Sequence, residues 1–360
     1  MAYNPKKEYD ALLRRTNKYA TEISVLFSNA VNALLRLQKT YSLGEGEVFS
    51  FEDNPKVAKQ ASDILRKLHS ATYAAISNGI KLEWAAGNAA ADSLLTSCFG
   101  KKVLNDPSFV AWTKRNTDAM KAFFARTRDD GFTLSNRVWS TTKQLRKEME
   151  LAITVSIGEG ESASYISRQV RKYLKDPDRL FRRVREVGTD NLKLSKAAAA
   201  YHPGQGVYRS SYKNAMRLAR TETNMAYRTA DNLRWEQMDF VTGIHIELSH
   251  NHPVTDICDQ LKGDYPKTFK FTGWHPQCFC YATPITCSQD KFVEMQQALI
   301  AGEEIPTPED EITEYPKTFQ NWMVTNKSRI MDAKKSGKLP YFLRDNWDKA
   351  KEAYRKTEDD

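Results

Sequence analysis

No stretch of about 18 apolar residues occurs anywhere in this 360-residue chain, and AYNPKKEYDALLRR after Met1 lacks the unbroken apolar run of a secretory leader. Both absences lead us to expect a soluble chain made in the cytoplasm, without membrane contact. Cysteine is scarce, with five residues and no C-x-x-C pair, so the common zinc-ribbon spacing is missing. A disulfide is the weaker reading for such a chain, because intracellular thiols normally stay reduced. Gly158 and Gly160 are not followed by GKS or GKT, and the pattern before them is helical rather than extended. That excludes a phosphate loop and leaves a helix-capping turn.

What the chain does have is enough material for a core. Hydrophobic residues make up 41% and charged residues 28%, which excludes a disordered polyampholyte and allows two or three folding units. The net charge of +9 is local in origin: residues 166–235 hold eleven Arg and five Lys against six acids, whereas residues 302–314 hold six acids and no base. A field of that kind suits a polyanion or an acidic protein surface, with an ordinary solvated helical face as the bland reading. Arg168, Arg171, Arg179, Arg182, Arg183 and Arg185 are the candidate nucleic-acid or partner contacts.

The periodicity predicts a mainly α fold. Apolar steps of three and four mark long amphipathic helices from Tyr9 to Gln38, Lys56 to Phe99 and Leu134 to Ser156, and another beginning at Ser211. The glycines and closing proline of SLGEGEVFSFEDNP separate the first two. Alternation then takes over at TGIHIEL, from Thr242 to Leu248, and further short strands are expected at Thr268 to Thr272 and Phe279 to Ile285. Four regions follow: 1–129 of long helices, 130–240 helical and basic, 241–290 a small antiparallel β-knuckle, and 291–360 an acidic linker with an aromatic-anchored tail. YPKTF occurs twice, from Tyr265 and from Tyr315, with no wider matching sequence, so no structural repeat is read.

Three of the five cysteines and three of the six histidines crowd into HNHPVTDICDQLKGDYPKTFKFTGWHPQCFC, residues 250–280. Tetrahedral zinc takes thiolates and imidazoles converging from two short segments. Cys258 lies on one, while His275, Cys278 and Cys280 lie on the other; an extended Cys278-Phe279-Cys280 would send both sulfurs to one face. His250 and His252 are alternative fourth ligands, and a metal-free cross-braced turn is the bland alternative. A small sheet has little core of its own, so a structural zinc would stabilise it where apolar area cannot. Upstream, Glu222 falls on the apolar face of its helix and needs a cation, from Arg217, Arg220 or another arginine; a structural ion pair is preferred to a catalytic carboxylate.

The order of LARTETNMAYR, a short strand and DICDQLKG…FKFTGWHPQCFC, with LSNRVWS, YHPGQGVYRSSYKNAMR and LPYFLRDN around it, resembles the phage minor head proteins of the Mu F-like, head-morphogenesis family, Bacteroidetes phage and prophage type. The resemblance runs over residues 130–345 and is strongest from Ala197 to Tyr281. It implies a non-enzymatic minor capsid protein that binds the portal in several copies inside the head. The major capsid or scaffold protein and packaged DNA are its further implied contacts. The family's usual HPxCRC element reads HPQCFC here, with Phe279 in place of arginine, which removes a polyanion contact but keeps the ligands. Two other functions stand beside it. One is a metal-dependent hydrolase or nuclease using Asp256 or Glu247 as base; the other is a DNA-binding adaptor not retained in the virion.

Overall fold

The computed structural model describes residues 3–37, 49–53, 55–127, 131–158, 201–204, 206–249 and 255–351, with 168, 170–172, 174–175, 184–185 and 192–193. The long helices are α1 (Pro5–Leu37), α2 (Pro55–Phe99), α5 (Leu134–Gly158) and α6 (Ser211–Glu236), with short α3 (Val110–Thr113) and α4 (Thr117–Ala125) before α5. Two-residue strands β1 (Val184–Arg185) and β2 (Leu192–Lys193) pair antiparallel. After α6 come β3 (Val241–Glu247), α7 (Ile257–Leu261), β4 (Gly263–Tyr265) and β5 (Tyr281–Thr286). Helices α8 (Gln289–Ala301), α9 (Lys317–Thr325), α10 (Lys327–Lys335), α11 (Tyr341–Arg344) and α12 (Trp347–Ala350) follow among the described residues. The fold is mainly α with one small three-stranded antiparallel sheet in the carboxy-terminal half, as the periodicity predicts. No described helix is long and apolar enough to cross a membrane.

The chain forms two compact units, each discontinuous in sequence: 16–79 with 132–220, and 1–15 with 80–131 and 221–360. In the first, the inward stripes of three helices supply Ile23, Phe27 and Val31, then Leu65, Leu68 and Ile76, then Val138, Leu145 and Met149, all buried. Glu148 is buried among them. It accepts from the backbone N–H (2.8 Å) and hydroxyl (2.6 Å) of Ser211, satisfying a donor at the free amino end of α6.

The second unit holds the sheet, in the order β4-β3-β5, where Ile244 and Ile246 of β3 turn inward. Its apolar core joins Leu95, Trp112, Phe240, Tyr265, Phe269, Trp274, Phe319 and Phe342. Gly87 explains how α2 approaches α6 here: a Cβ at that position would lie 2.6 Å from the carbonyl oxygen of Tyr227, so only glycine permits the contact. Arg234, fully buried, ties the same helices together by an ion pair to Asp92 (2.8 Å) and a bond to the Trp112 carbonyl (3.0 Å).

One expectation needs correction. Thr268 to Thr272 is not a strand; the edge of the sheet beside β3 is formed by Gly263–Tyr265 instead. The reason lies in the hydrogen bonds. Side-chain amides meet the segment's backbone: Asn232 reaches the Phe269 carbonyl (3.4 Å), and Asn346 both accepts from the Lys270 N–H (2.7 Å) and donates to the Lys270 carbonyl (3.0 Å). The two YPKTF copies lie in different elements, Tyr265 closing β4 and Lys317 opening α9, and form no structural repeat. They share one hydrogen bond, Phe269 N–H to Pro266 O (2.8 Å) and Phe319 N–H to Pro316 O (2.9 Å), and their rings pack together, Tyr265 against Phe319 at 5.6 Å and Phe269 against Tyr315 at 5.8 Å.

Candidate metal centre

Cys258 is delivered by a capped helix start. Asp256 Oδ1 accepts from the Cys258 N–H (2.7 Å), while Asp259 accepts from the Asp256 N–H (2.8 Å), a reciprocal capping box that fixes this five-residue helix α7. On the opposite side, His275 to Cys278 forms a turn closed by the Cys278 N–H on the His275 carbonyl (3.0 Å). Gln277 adopts the left-handed region at φ 62°, strained for a residue with a Cβ, and this re-aims the chain so that Cys278 points back at Cys258. Gly273 makes room for that approach, because a Cβ there would lie 2.8 Å from the Arg228 guanidinium and 3.0 Å from Cys278 Cβ.

The result is a cluster that can hold a metal ion. Cys258, Cys278 and Cys280 are all buried, and their sulfurs lie within 4.8 Å of one another. His275 Nε2 stands 3.2 Å from the Cys258 sulfur. Two thiolates bound at about 2.3 Å to one tetrahedral zinc stand about 3.8 Å apart. Cys258 and Cys278 show that separation, 3.8 Å, far from the bond length of a disulfide. The Nδ1 of His275 lies 3.0 Å from the Pro276 carbonyl; a proton there leaves the Nε2 lone pair for the Cys258 side, the tautomer a metal needs, and His275 groups with Cys258 and Asp256 rather than with Cys278 and Cys280. Asp256 Oδ2 is 3.3 Å from the same Nε2, making it an oxygen donor at the half-exposed rim.

Electrostatics within the cluster are uneven. Burial opposes charge on Cys278, yet bonds from Cys258 and Cys280 and the nearby Arg228 guanidinium hold it well below the usual thiol range. Cys258 is held well above it by its bonds to Cys278 and Cys280 and by burial. For Cys280 the bond with Cys258 works downward, but Cys278 and burial prevail and push it up to about 12. The charged form is thus favoured at Cys278 and disfavoured at Cys258 and Cys280, so a dication bound to all three sulfurs would displace protons from the latter two.

Helix α6 carries the support that sequence reading missed. Asn224, Arg228 and Asn232 recur every four residues on one face, and all three donate to backbone carbonyls of the knuckle and the segment leading to it. Asn224 reaches the Cys278 carbonyl at 3.2 Å, and Asn232 the Lys267 carbonyl at 3.3 Å. Arg228, only 6% exposed, donates to the carbonyls of Thr272 (3.2 Å), Cys278 (3.1 Å) and Cys280, and among the described residues it meets no carboxylate. The recoverable signal was a polar residue at every fourth position of a helix otherwise buried.

His250 and His252, the alternative ligands, lie outside the described residues, as do Arg179, Arg182 and Arg183. Arg168 and Arg171 have exposed side chains, and Arg185 is described only as backbone in β1. Glu222 has its ion pair with Arg126 (2.6 Å), the "other arginine" of the expectation, whereas Arg217 donates to the Gly206 carbonyl (3.0 Å). Arg220 has partners of its own. Glu247 accepts from the Leu248 N–H (3.0 Å) and meets His245 (3.2 Å), and it belongs to neither ligand group. Comparison with family profiles, curated proteins and solved structures gives no match to this chain.

Proposed function

We propose that this chain is a non-enzymatic structural protein of a phage head, of the head-morphogenesis type. In this reading it binds the portal in several copies at the inner vertex, and its knuckle is braced by a structural zinc on Cys258, His275, Cys278 and Cys280. The observation that supports the zinc is the burial of three sulfurs within 4.8 Å of one another, Cys258 and Cys278 at the 3.8 Å of a tetrahedral pair, with an imidazole nitrogen 3.2 Å from the Cys258 sulfur. Bound there, the ion would supply the cross-link that a three-stranded sheet lacks, and four protein donors leave no position for a reacting water. The head assignment rests on the order of motifs from Ala197 to Tyr281, and the long helices with their basic stretch offer surfaces for portal, capsid or scaffold protein and for DNA.

A metal-dependent nuclease is the second reading, favoured by one observation: Asp256 Oδ2 lies at the half-exposed rim beside His275, where a hydrolytic site would hold its base. Two measurements separate the readings. Mass spectrometry of purified particles should find the chain at a fixed ratio to the portal subunit; particles without it refute the head role. Purified protein should carry one zinc and leave plasmid DNA intact with added Mg²⁺, Mn²⁺ or Zn²⁺; cleavage abolished by Cys278→Ala would replace the structural reading with the hydrolytic one. An adaptor that only binds DNA would instead be missing from particles while binding DNA with a steep salt dependence.

A further inference from the structure

Cys278, Phe279 and Cys280 lead into β5, and the carbonyls of all three accept from side chains distant in sequence. Those of Cys278 and Cys280 meet Arg228 on α6. The carbonyl between them, of Phe279, accepts from the Tyr9 hydroxyl on α1, 270 residues away. The Ser249 side chain, just beyond β3, bonds the same phenol. The Tyr9 ring also stacks on Tyr281, the residue after Cys280, with centroids 4.5 Å apart and planes 24° from parallel. Because Tyr9 is only 4% exposed, these contacts are made away from bulk water. The segment that carries two of the candidate ligands is therefore held by α1 as well as by α6.

Residues 1–15 belong to the unit that holds the knuckle, while the remainder of α1 belongs to the other unit. Two ties fasten this start of the helix to α2: Arg15 holds Glu83 through two bonds of 2.8 Å, and the Tyr3 N–H donates to Ser97 Oγ at 2.6 Å. Leu12 is buried with Ala90 of α2 and Tyr227 of α6. Tyr9 adds the tie to the ligand segment. A metal ion that fixes the Cys278 and Cys280 sulfurs also fixes the Phe279 carbonyl between them, and so presents the tyrosine with a settled acceptor. Conversely, a tyrosine already on that carbonyl reduces the freedom that the segment must give up when the ion binds. The two effects are one coupling free energy read from opposite ends.

We propose that Tyr9 is a positioning residue of the metal centre and that, through it, metal occupancy sets how firmly the first turns of α1 are seated on the knuckle. The inference rests on the zinc reading above, and its test keeps the two apart. Zinc affinity of the full chain is measured by competition with a chromogenic chelator for wild type and for Tyr9→Phe, which removes one oxygen and keeps the stacked ring. Hydrogen exchange of the wild type is followed over residues 9–15 and 20–34 of α1 with and without chelator. Affinity about tenfold weaker in Tyr9→Phe is expected, the low end of the roughly 10–100-fold typical of outer-shell partners, because the bonded carbonyl belongs to Phe279 and to no ligand. Chelation is expected to speed exchange at 9–15 and to leave 20–34 unchanged. Affinity within threefold of wild type, equal protection at 9–15 in the two states, or an equal loss over both stretches overturns the proposal while leaving the zinc in place. A wild-type chain that takes up no zinc removes both readings. The exchange comparison needs no variant, so it decides the matter even if Tyr9→Phe fails to fold.

Discussion

Replacing Arg228 by methionine tests the metal centre through a residue that touches no metal. The guanidinium donates to three carbonyls, two of them belonging to the ligands Cys278 and Cys280, and it is the positive charge beside the cluster. Three thiolates and a dication sum to minus one, so in the loaded state Arg228 neutralises a buried anion. Loading must remove the protons of Cys258 and Cys280, whose charged forms are disfavoured in the metal-free cluster, and the guanidinium favours the charged form of Cys280 as well as that of Cys278. Methionine keeps most of the volume and removes the charge, so its effect must be larger on the loaded protein. Outer-shell partners of metal ligands typically contribute 10–100-fold to affinity, which corresponds to about 1.4–2.7 kcal/mol of coupling between Arg228 and the ion. The assay is zinc competition against a chromogenic chelator, with melting of wild type and Arg228→Met measured with and without zinc. Affinity within threefold of wild type, or equal destabilisation in the two states, would refute the charge argument. Arg228→Lys should fall between, because it retains the charge but loses the fork that spans separate carbonyls.

Chelation is expected to strip hydrogen-exchange protection from residues 243–285 while amides of α5 keep theirs; equal protection with and without chelator removes zinc from the account. Glu148 gives a pH signature in the other unit: burial raises its pKa to about 8, with bonds from Ser211 opposing, so the folded state holds a proton that the unfolded chain has lost. Its contribution is therefore fully present below the unfolded carboxylate pKa of about 4.3 and is lost as pH rises towards 8, with a slope of at most about 1.4 kcal/mol per pH unit. Glu148→Gln should flatten that slope in melts from pH 5 to 8.5, and parallel profiles for the two proteins would contradict it. Gly87→Ala should destabilise by about 1–3 kcal/mol in denaturant titrations despite alanine's better helix propensity, since the added Cβ meets the Tyr227 carbonyl at 2.6 Å; a gain in stability would mean the helices are free to part.

The helices were legible because their signal is local and repeated. Leu12, Ile23 and Leu34 of α1 and Val138, Leu145 and Met149 of α5 are buried at the periods that the sequence displays. Thr242 to Leu248 was legible for the same reason, as alternation that the paired strand β3 realises. Thr268 to Thr272 carries residues equally at home in a strand, but its fate was decided by Asn232 and Asn346, 36 or more residues away in sequence, whose amides occupy the backbone groups that a ladder would have used. The pentapeptide YPKTF gave no structural repeat, for its copies fall in different elements; what the sequence does not display is that their rings meet in one cluster.

The ligands of the candidate centre could be read from composition, because thiol and imidazole are uncommon and their crowding stands out. Their support could not, because it is made of common residues whose meaning depends on what faces them. Asn224, Arg228 and Asn232 look like the polar side of an amphipathic helix, and the basic count of that stretch invites a reading in terms of DNA. At least two of those charges face inward: Arg228 and Arg234 are buried, the one on knuckle carbonyls and the other on Asp92 and the Trp112 carbonyl. An arginine engaged in this way adds to net charge without adding to the field that a polyanion would meet. The surplus available to an external partner is therefore smaller than the sequence count, and it resides in exposed positions such as Arg168 and Arg171 rather than along the buried face of α6. The consequence reaches beyond this chain's charge tally: a basic helix that is also apolar at every third or fourth position is as much a scaffold for carbonyl-rich loops as a surface for phosphate. Only the burial of its arginines separates the two.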